Sequence, residues 1–185
     1  MKTLVIYAPC LDNPFLVYIG ARNKEIETTR RWTELKDEFM RRGVLFFSYF
    51  CPETIVDGWP RPPASKDYYA ERIPMWIVEH VKKIVSDVRP DRIVFVGIRN
   101  SPVCGVVKTV QGDVPKEFAE RFREANMEER IAMKKGAYKY MSVVDGPGAL
   151  MEILKKEFPD AVFVDLNKGD LESGFEEVRK AIEGN

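Results

Sequence analysis

Five short apolar runs separated by amphipathic stretches constrain this chain more than any other feature. Thr3–Ala8, Val44–Phe50, Arg92–Ile98, Tyr138–Val144 and Ala161–Leu166 are short and rich in β-branched or aromatic residues, which marks strands. Helical spacing fills the intervals. Trp32, Leu35 and Phe39 share a face of Glu27–Arg42, and Gly43 supplies a stop. Ile73, Ile77, Val81, Ile84 and Val88 repeat in the next helix, with Pro74 in the first turn, where a missing N–H costs little. Pro115–Lys135 reads as one charged helix with Phe118, Phe122, Ala125 and Ile131 inward. Leu150, Ile153 and Leu154 mark another helix, and Leu171–Ile182 the last. Strands alternating with helices imply an α/β fold. The expected architecture is a doubly wound, mostly parallel five-stranded sheet of order 2-1-3-4-5, Rossmann- or flavodoxin-like, with helices on both faces. One domain over 1–185 is expected, with 112–136 as a helical insertion.

The connections carry the punctuation. Cys51–Pro63 contains Pro52, Gly58, Pro60, Pro62 and Pro63 and reads as irregular throughout. Asn100–Gly112 reads as a second irregular loop, with a short strand at Val106–Val110. Phe15–Ile19 is a candidate for a further short strand.

The 29 basic and 29 acidic residues balance, so charge predicts neither a nucleic-acid nor an anionic-membrane partner. No apolar stretch approaches the roughly 18 residues that span a bilayer, and the start lacks a signal-peptide pattern, so a cytoplasmic location is expected. Three cysteines in a reducing compartment argue against a disulfide framework.

Each cysteine follows a strand-like run: Cys10 after the first, Cys51 after the second, Cys104 a short loop after the third. Functional groups in open parallel sheets gather at the carboxyl ends of the strands. In the expected order these three strands are neighbours, so the thiols fall at one edge. The alternative is three small buried hydrophobes. Thiolate sets favour zinc, copper(I) or iron–sulfur centres, and three ligands leave a coordination position open. No C-x-x-C pair is present, so neither a zinc knuckle nor a thioredoxin-type motif is supported. His80, the single histidine, lies mid-helix beside the apolar stripe and reads as structural.

Other candidates lie in the same loops. Glu53, two residues after Cys51, is placed to move a proton or orient water, or is a solvated loop carboxylate. Ser101 is a hydrogen-bonding partner for a substrate, or a loop cap. Asp145-Gly-Pro-Gly148 opens a helix, so the amides at Gly146 and Gly148 are candidates for holding an anion, or the segment is a plain turn with an Asp cap. Arg61 and Lys108 are candidates for meeting an anionic or uracil-like ligand.

Cys51-Pro-Glu53 followed by Gly58-Trp-Pro-Arg-Pro-Pro63 resembles the "CPE…G…PRPP" segment of the thiouracil desulfurase (TudS)-like family of bacteria and archaea. Asn100-Ser-Pro-Val-Cys-Gly105 resembles that family's "SPSCG", Asp145-Gly-Pro-Gly148 its late "G-x-G" turn, and Ala8-Pro-Cys-Leu11 its opening "SACL". The matches run in the family's order over about the first 155 residues, and depart from it at Leu11–Gly20 and 112–136. The resemblance implies an iron–sulfur-dependent enzyme that removes sulfur from a thiolated pyrimidine base or nucleoside. It implies a [4Fe–4S] cluster held by Cys10, Cys51 and Cys104, with one iron open to the substrate sulfur, and catalytic roles for Glu53 and Ser101. The alternatives are a three-cysteine zinc site, hydrolytic or structural, and a non-enzymatic sulfur-binding or sensing module.

Overall fold

The structure is a computed structural model describing residues 1–17, 23–59 and 61–184, apart from the side chain of Lys135. In chain order the elements are β1 (Thr3–Tyr7), α1 (Asn23–Arg41), β2 (Leu45–Ser48), α2 (Pro52–Asp57), α3 (Lys66–Ala70), α4 (Met75–Val88), β3 (Arg92–Ile98), β4 (Lys108–Gly112), α5 (Lys116–Glu124), α6 (Met127–Ala137), β5 (Met141–Asp145), α7 (Ala149–Glu157), β6 (Val162–Leu166) and α8 (Leu171–Glu183). Short 3-10 turns at Pro9–Leu11 and Pro14–Leu16 follow β1.

Four strands form a parallel sheet in the order β2-β1-β3-β6. Register puts Val5 between Phe46 and Val94, and Ile6 between Phe47 and Phe95. Successive side chains on a strand point to opposite faces. Phe46 accordingly packs on Trp32 of α1, while the next residue, Phe47, packs edge-on against His80 of α4. Helices therefore cover both faces. The first layer is α1 with α8, joined by Arg179–Glu38 and Arg42–Glu183 ion pairs. The second is α4 with α7, joined by Lys82–Glu157. Leu4, Val5, Ile6, Val94, Phe95 and Val96 are buried between them, which is why these strands read as unbroken apolar runs. His80 stacks on Phe50 as well, in keeping with its reading as a packing residue.

The expected fourth strand, Tyr138–Val144, lies outside the sheet, while the expected fifth, Ala161–Leu166, is in it as β6. Tyr138–Val144 supplies β5, but β5 pairs antiparallel with β4 in a separate two-stranded ribbon. Val143 on it is 51% exposed, so this run never had two faces to bury. Three further expectations change. Phe15 and Leu16 lie in a 3-10 turn, capped by the Asn13 side chain, rather than in a strand; residues 18 and 19 of that expectation lie outside the described residues. Residues 115–135 form two helices rather than one, because Asn126 starts a new helix with a capping box to Glu129; Phe122 is buried, while Ile131 is 44% exposed. Residues 51–63 are not wholly irregular. Pro52 occupies the first helical position of α2, where proline is favoured, and Gly58 ends the helix at φ 71°.

Candidate functional site

The sheet order puts the exits of β2, β1 and β3 side by side, and Cys51, Cys10 and Cys104 lie just past those exits. All three are free thiols. Cys10 sits in the 3-10 turn that Pro9 opens, and Cys51 is the N-cap of α2. Cys104 is buried in a turn folded back over the end of β3, where its carbonyl accepts from the Ile98 amide at 3.0 Å. Gly97 makes that turn possible, since a Cβ there would stand 2.1 Å from the Cys104 oxygen. Electrostatics tie the three together. Burial pushes the Cys104 thiol well above its ordinary pKa, and the charges of Glu53, Cys10 and Cys51 push it further. Burial raises Cys51 too, with Glu53 adding and Arg61 opposing.

Glu53 stands in the first turn of α2, and its carboxylate is divided between two partners. Arg61 Nε donates to Oε2 at 2.7 Å, and Ser101 Oγ approaches Oε1 at 3.4 Å. The Arg61–Glu53 pair is nearly sealed from solvent, at 6% and 12% exposure. Arg61 also donates to the Leu16 carbonyl and to Thr54 Oγ1, which ties the Cys10 loop to the Cys51 helix. Ser101 has two tasks: its Oγ accepts from the Cys104 amide at 2.9 Å and from Val103 at 3.3 Å while it faces Glu53. Thus Glu53, Ser101 and Arg61 meet at the cysteine edge.

The remaining candidates are placed otherwise. Lys108 lies on β4, half exposed, facing Asp145 across the ribbon at 3.7 Å. The amides at the start of α7 are already spent: Gly148 donates to Gly105, Ala149 to Pro102, and Leu150 and Met151 to Val103, while the Gly146 amide donates to Val107. Asp145 is exposed rather than a cap. This turn buttresses the Cys104 loop and has no free donors to offer an anion. Gly148 allows the close approach, since a Cβ there would meet the Val103 carbonyl carbon at 2.7 Å.

Two residues went unremarked in the sequence. Asp165, buried near the end of β6, accepts from the Val106 and Val107 amides at 2.7 and 2.8 Å and fixes the far side of the Cys104 loop. Its position at a strand's carboxyl end was the available signal. Tyr49 is 2% exposed, its Oη meets no nitrogen or oxygen partner, and it lies against the Cys104 sulfur within the fields of Cys10 and Cys51. A buried hydroxyl left unpaired costs about 1–3 kcal/mol. It was the polar-tipped residue in an apolar run, two before Cys51.

A cavity of about 90 Å³ opens beside Glu53, walled by Pro62, Pro63, Asn100, Tyr138 and Met141. Asn100 holds its place at φ 66°, a left-handed conformation that asparagine tolerates. A larger groove of about 850 Å³ shares the Pro62, Pro63 and Ala64 wall; neither space is lined by a cysteine, and the smaller one alone of the two reaches Glu53. Three thiols beside an unspent hydroxyl form a donor set suited to a soft metal centre. Among the described residues no three His, Cys, Asp or Glu side chains close tightly enough around one point for a single metal ion.

A family model described as "putative 2-thiouracil desulfurase" matches residues 1–184. The chain belongs to that family. A comparison with curated proteins and with solved structures gives no match. Membership in the desulfurase family supports an enzyme acting on a small molecule, and among the described residues no helix is long and apolar enough to cross a membrane. The family's span takes in Cys10, Cys51 and Cys104 as well as the ribbon and α5–α6.

Proposed function

We propose that this chain is an iron–sulfur-dependent desulfurase that exchanges the sulfur of a thiolated pyrimidine base or nucleoside for oxygen. The observation that carries the reading is the meeting of three cysteine loops with a carboxylate held by Arg61 and Ser101. Cys10, Cys51 and Cys104 are the residues that would hold a [4Fe–4S] cluster, which supplies an open iron as a soft Lewis acid for the thiocarbonyl sulfur.

The rest of the chemistry belongs to side chains. Glu53 holds a water beside the cavity and takes its proton as the oxygen bonds to carbon. Arg61 keeps the carboxylate aimed while leaving a lone pair on each oxygen for that water. Ser101 turns its one hydroxyl proton from Glu53 to the pyrimidine edge as substrate enters, its lone pairs staying with the Val103 and Cys104 amides. The Pro62–Pro63 wall and Met141 give the ring an apolar slot. Overall, a thiocarbonyl and water become a carbonyl and hydrogen sulfide. Electrons balance with no oxidant or reductant.

The test is anaerobic reconstitution followed by incubation with 2-thiouracil and with 4-thiouridine, reading sulfide release and the oxo product. The expected result is stoichiometric sulfide and oxo-pyrimidine from one of them, lost in Glu53→Gln. Full cluster loading without sulfide release from either compound would reject the reaction.

A further inference from the structure

Tyr49 leads β2 into the Cys51 turn, buried, with no nitrogen or oxygen partner for its Oη. Its polar neighbours at that edge are sulfur: it lies against Cys104, with Cys10 and Cys51 close enough for their charges to be felt. A cysteine sulfur that holds no metal is a weak acceptor, so this buried hydroxyl lacks a strong partner. An anionic sulfur is a good acceptor, and a hydrogen bond to it is among the stronger kinds.

We propose that Tyr49 is a positioning residue for the cysteine-held centre, its hydroxyl donating a hydrogen bond to the Cys104 sulfur once that sulfur is a metal ligand. The proposal rests on the cluster reading above. Its physical content is charge: a donor aimed at a ligand sulfur withdraws electron density and makes the centre easier to reduce, and hydrogen bonds to cluster sulfurs are a recognised control on potential. Tyr49 touches no substrate atom in this account. It keeps Cys104 in place and sets how readily the open metal accepts a sulfur lone pair.

The test uses the anaerobically reconstituted holoprotein, with iron and acid-labile sulfide measured first and the reduction potential second. Tyr49→Phe keeps the ring and deletes one atom. Its loading should equal the wild type's, and its potential should fall. A tenfold weaker reduction equilibrium is the expected scale, about 59 mV for one electron. A second variant places 3-fluorotyrosine at position 49, which keeps the hydroxyl and makes it a stronger donor. Its potential should rise. Opposite signs from two near-isosteric changes separate hydrogen bonding from packing. If the Phe variant fails to load, the fluorotyrosine protein decides alone. A loaded wild type whose potential matches those of its loaded variants overturns the role of Tyr49 and leaves the cluster reading standing. A wild type that takes up no iron overturns both.

Discussion

Arg61 Nε stands 2.7 Å from Glu53 Oε2, and the pair is buried where the Cys51 helix meets the Cys10 loop. The same guanidinium reaches the Leu16 carbonyl and Thr54, so a single side chain holds the carboxylate and stitches two cysteine loops together. The arginine of the Pro-Arg-Pro-Pro segment therefore serves Glu53 from a buried position and does not stand free for a ligand. Pro62 and Pro63, next along the chain, wall the cavity beside Glu53.

Arg61→Gln should destabilise the fold by about 3 kcal/mol or more, because removing one partner of a buried ion pair strands the other charge. Arg61→Lys should recover only part of this, since an ammonium lacks the planar fork that serves Glu53, Leu16 and Thr54 together. Urea denaturation of the three proteins reads the difference directly. Equal midpoints for wild type and the Gln variant would show that the pair contributes nothing.

Gly97→Ala should dislodge the Cys104 turn. The added methyl would lie 2.1 Å from a backbone oxygen that accepts from Ile98, and backbone cannot swing aside as a side chain tip can. Overpacking of this kind costs about 1–3 kcal/mol or more. We expect a lower melting temperature and a loss of metal uptake together. A variant that melts lower yet binds metal as well as wild type would mean that the turn's position does not matter to the site.

The metal-free, reduced protein should lose stability as pH rises through the ordinary thiol range, near about 8.5. Burial lifts the Cys51 and Cys104 thiols above their usual values, so over that range the native chain keeps protons that the unfolded chain has released. Stability from this source is whole below the unfolded pKa and lost as pH climbs through the raised native values. Urea midpoints from about pH 7 to about pH 9.5 should slope downward, and the slope should lessen in Cys104→Ala. Equal slopes in the two proteins would contradict the assignment.

Much of this layout was legible from residue patterns, and the misses have physical causes. β1, β2, β3 and β6 stood out because strands covered on both faces must be continuously apolar, and the cysteines stood out because each follows such a strand. β5 carries a similar pattern on a ribbon. Periodicity says that Met141–Asp145 is extended and gives no information on which strand it pairs with. The break between α5 and α6 was encoded as Asn126 and Glu129, a capping box inside a stretch whose charge pattern suggested one continuous helix. In 51–63 the prolines hid a six-residue helix, since Pro52 at its first position starts a helix rather than breaking one. Glu53 and Ser101 could be picked out by their distance from a cysteine along the chain. Tyr49 is as near Cys51 as Glu53 is but blends into an apolar run, and Asp165 is far from any cysteine; what marks them is what the fold brings against them, sulfurs for one and two loop amides for the other.

The most direct measurement is iron and acid-labile sulfide per chain in protein purified without oxygen, for wild type and for Cys10→Ser, Cys51→Ser and Cys104→Ser. We predict a full [4Fe–4S] complement in wild type and its loss in every single variant. Wild type carrying zinc in place of iron, or any serine variant that keeps the full complement, would contradict the account.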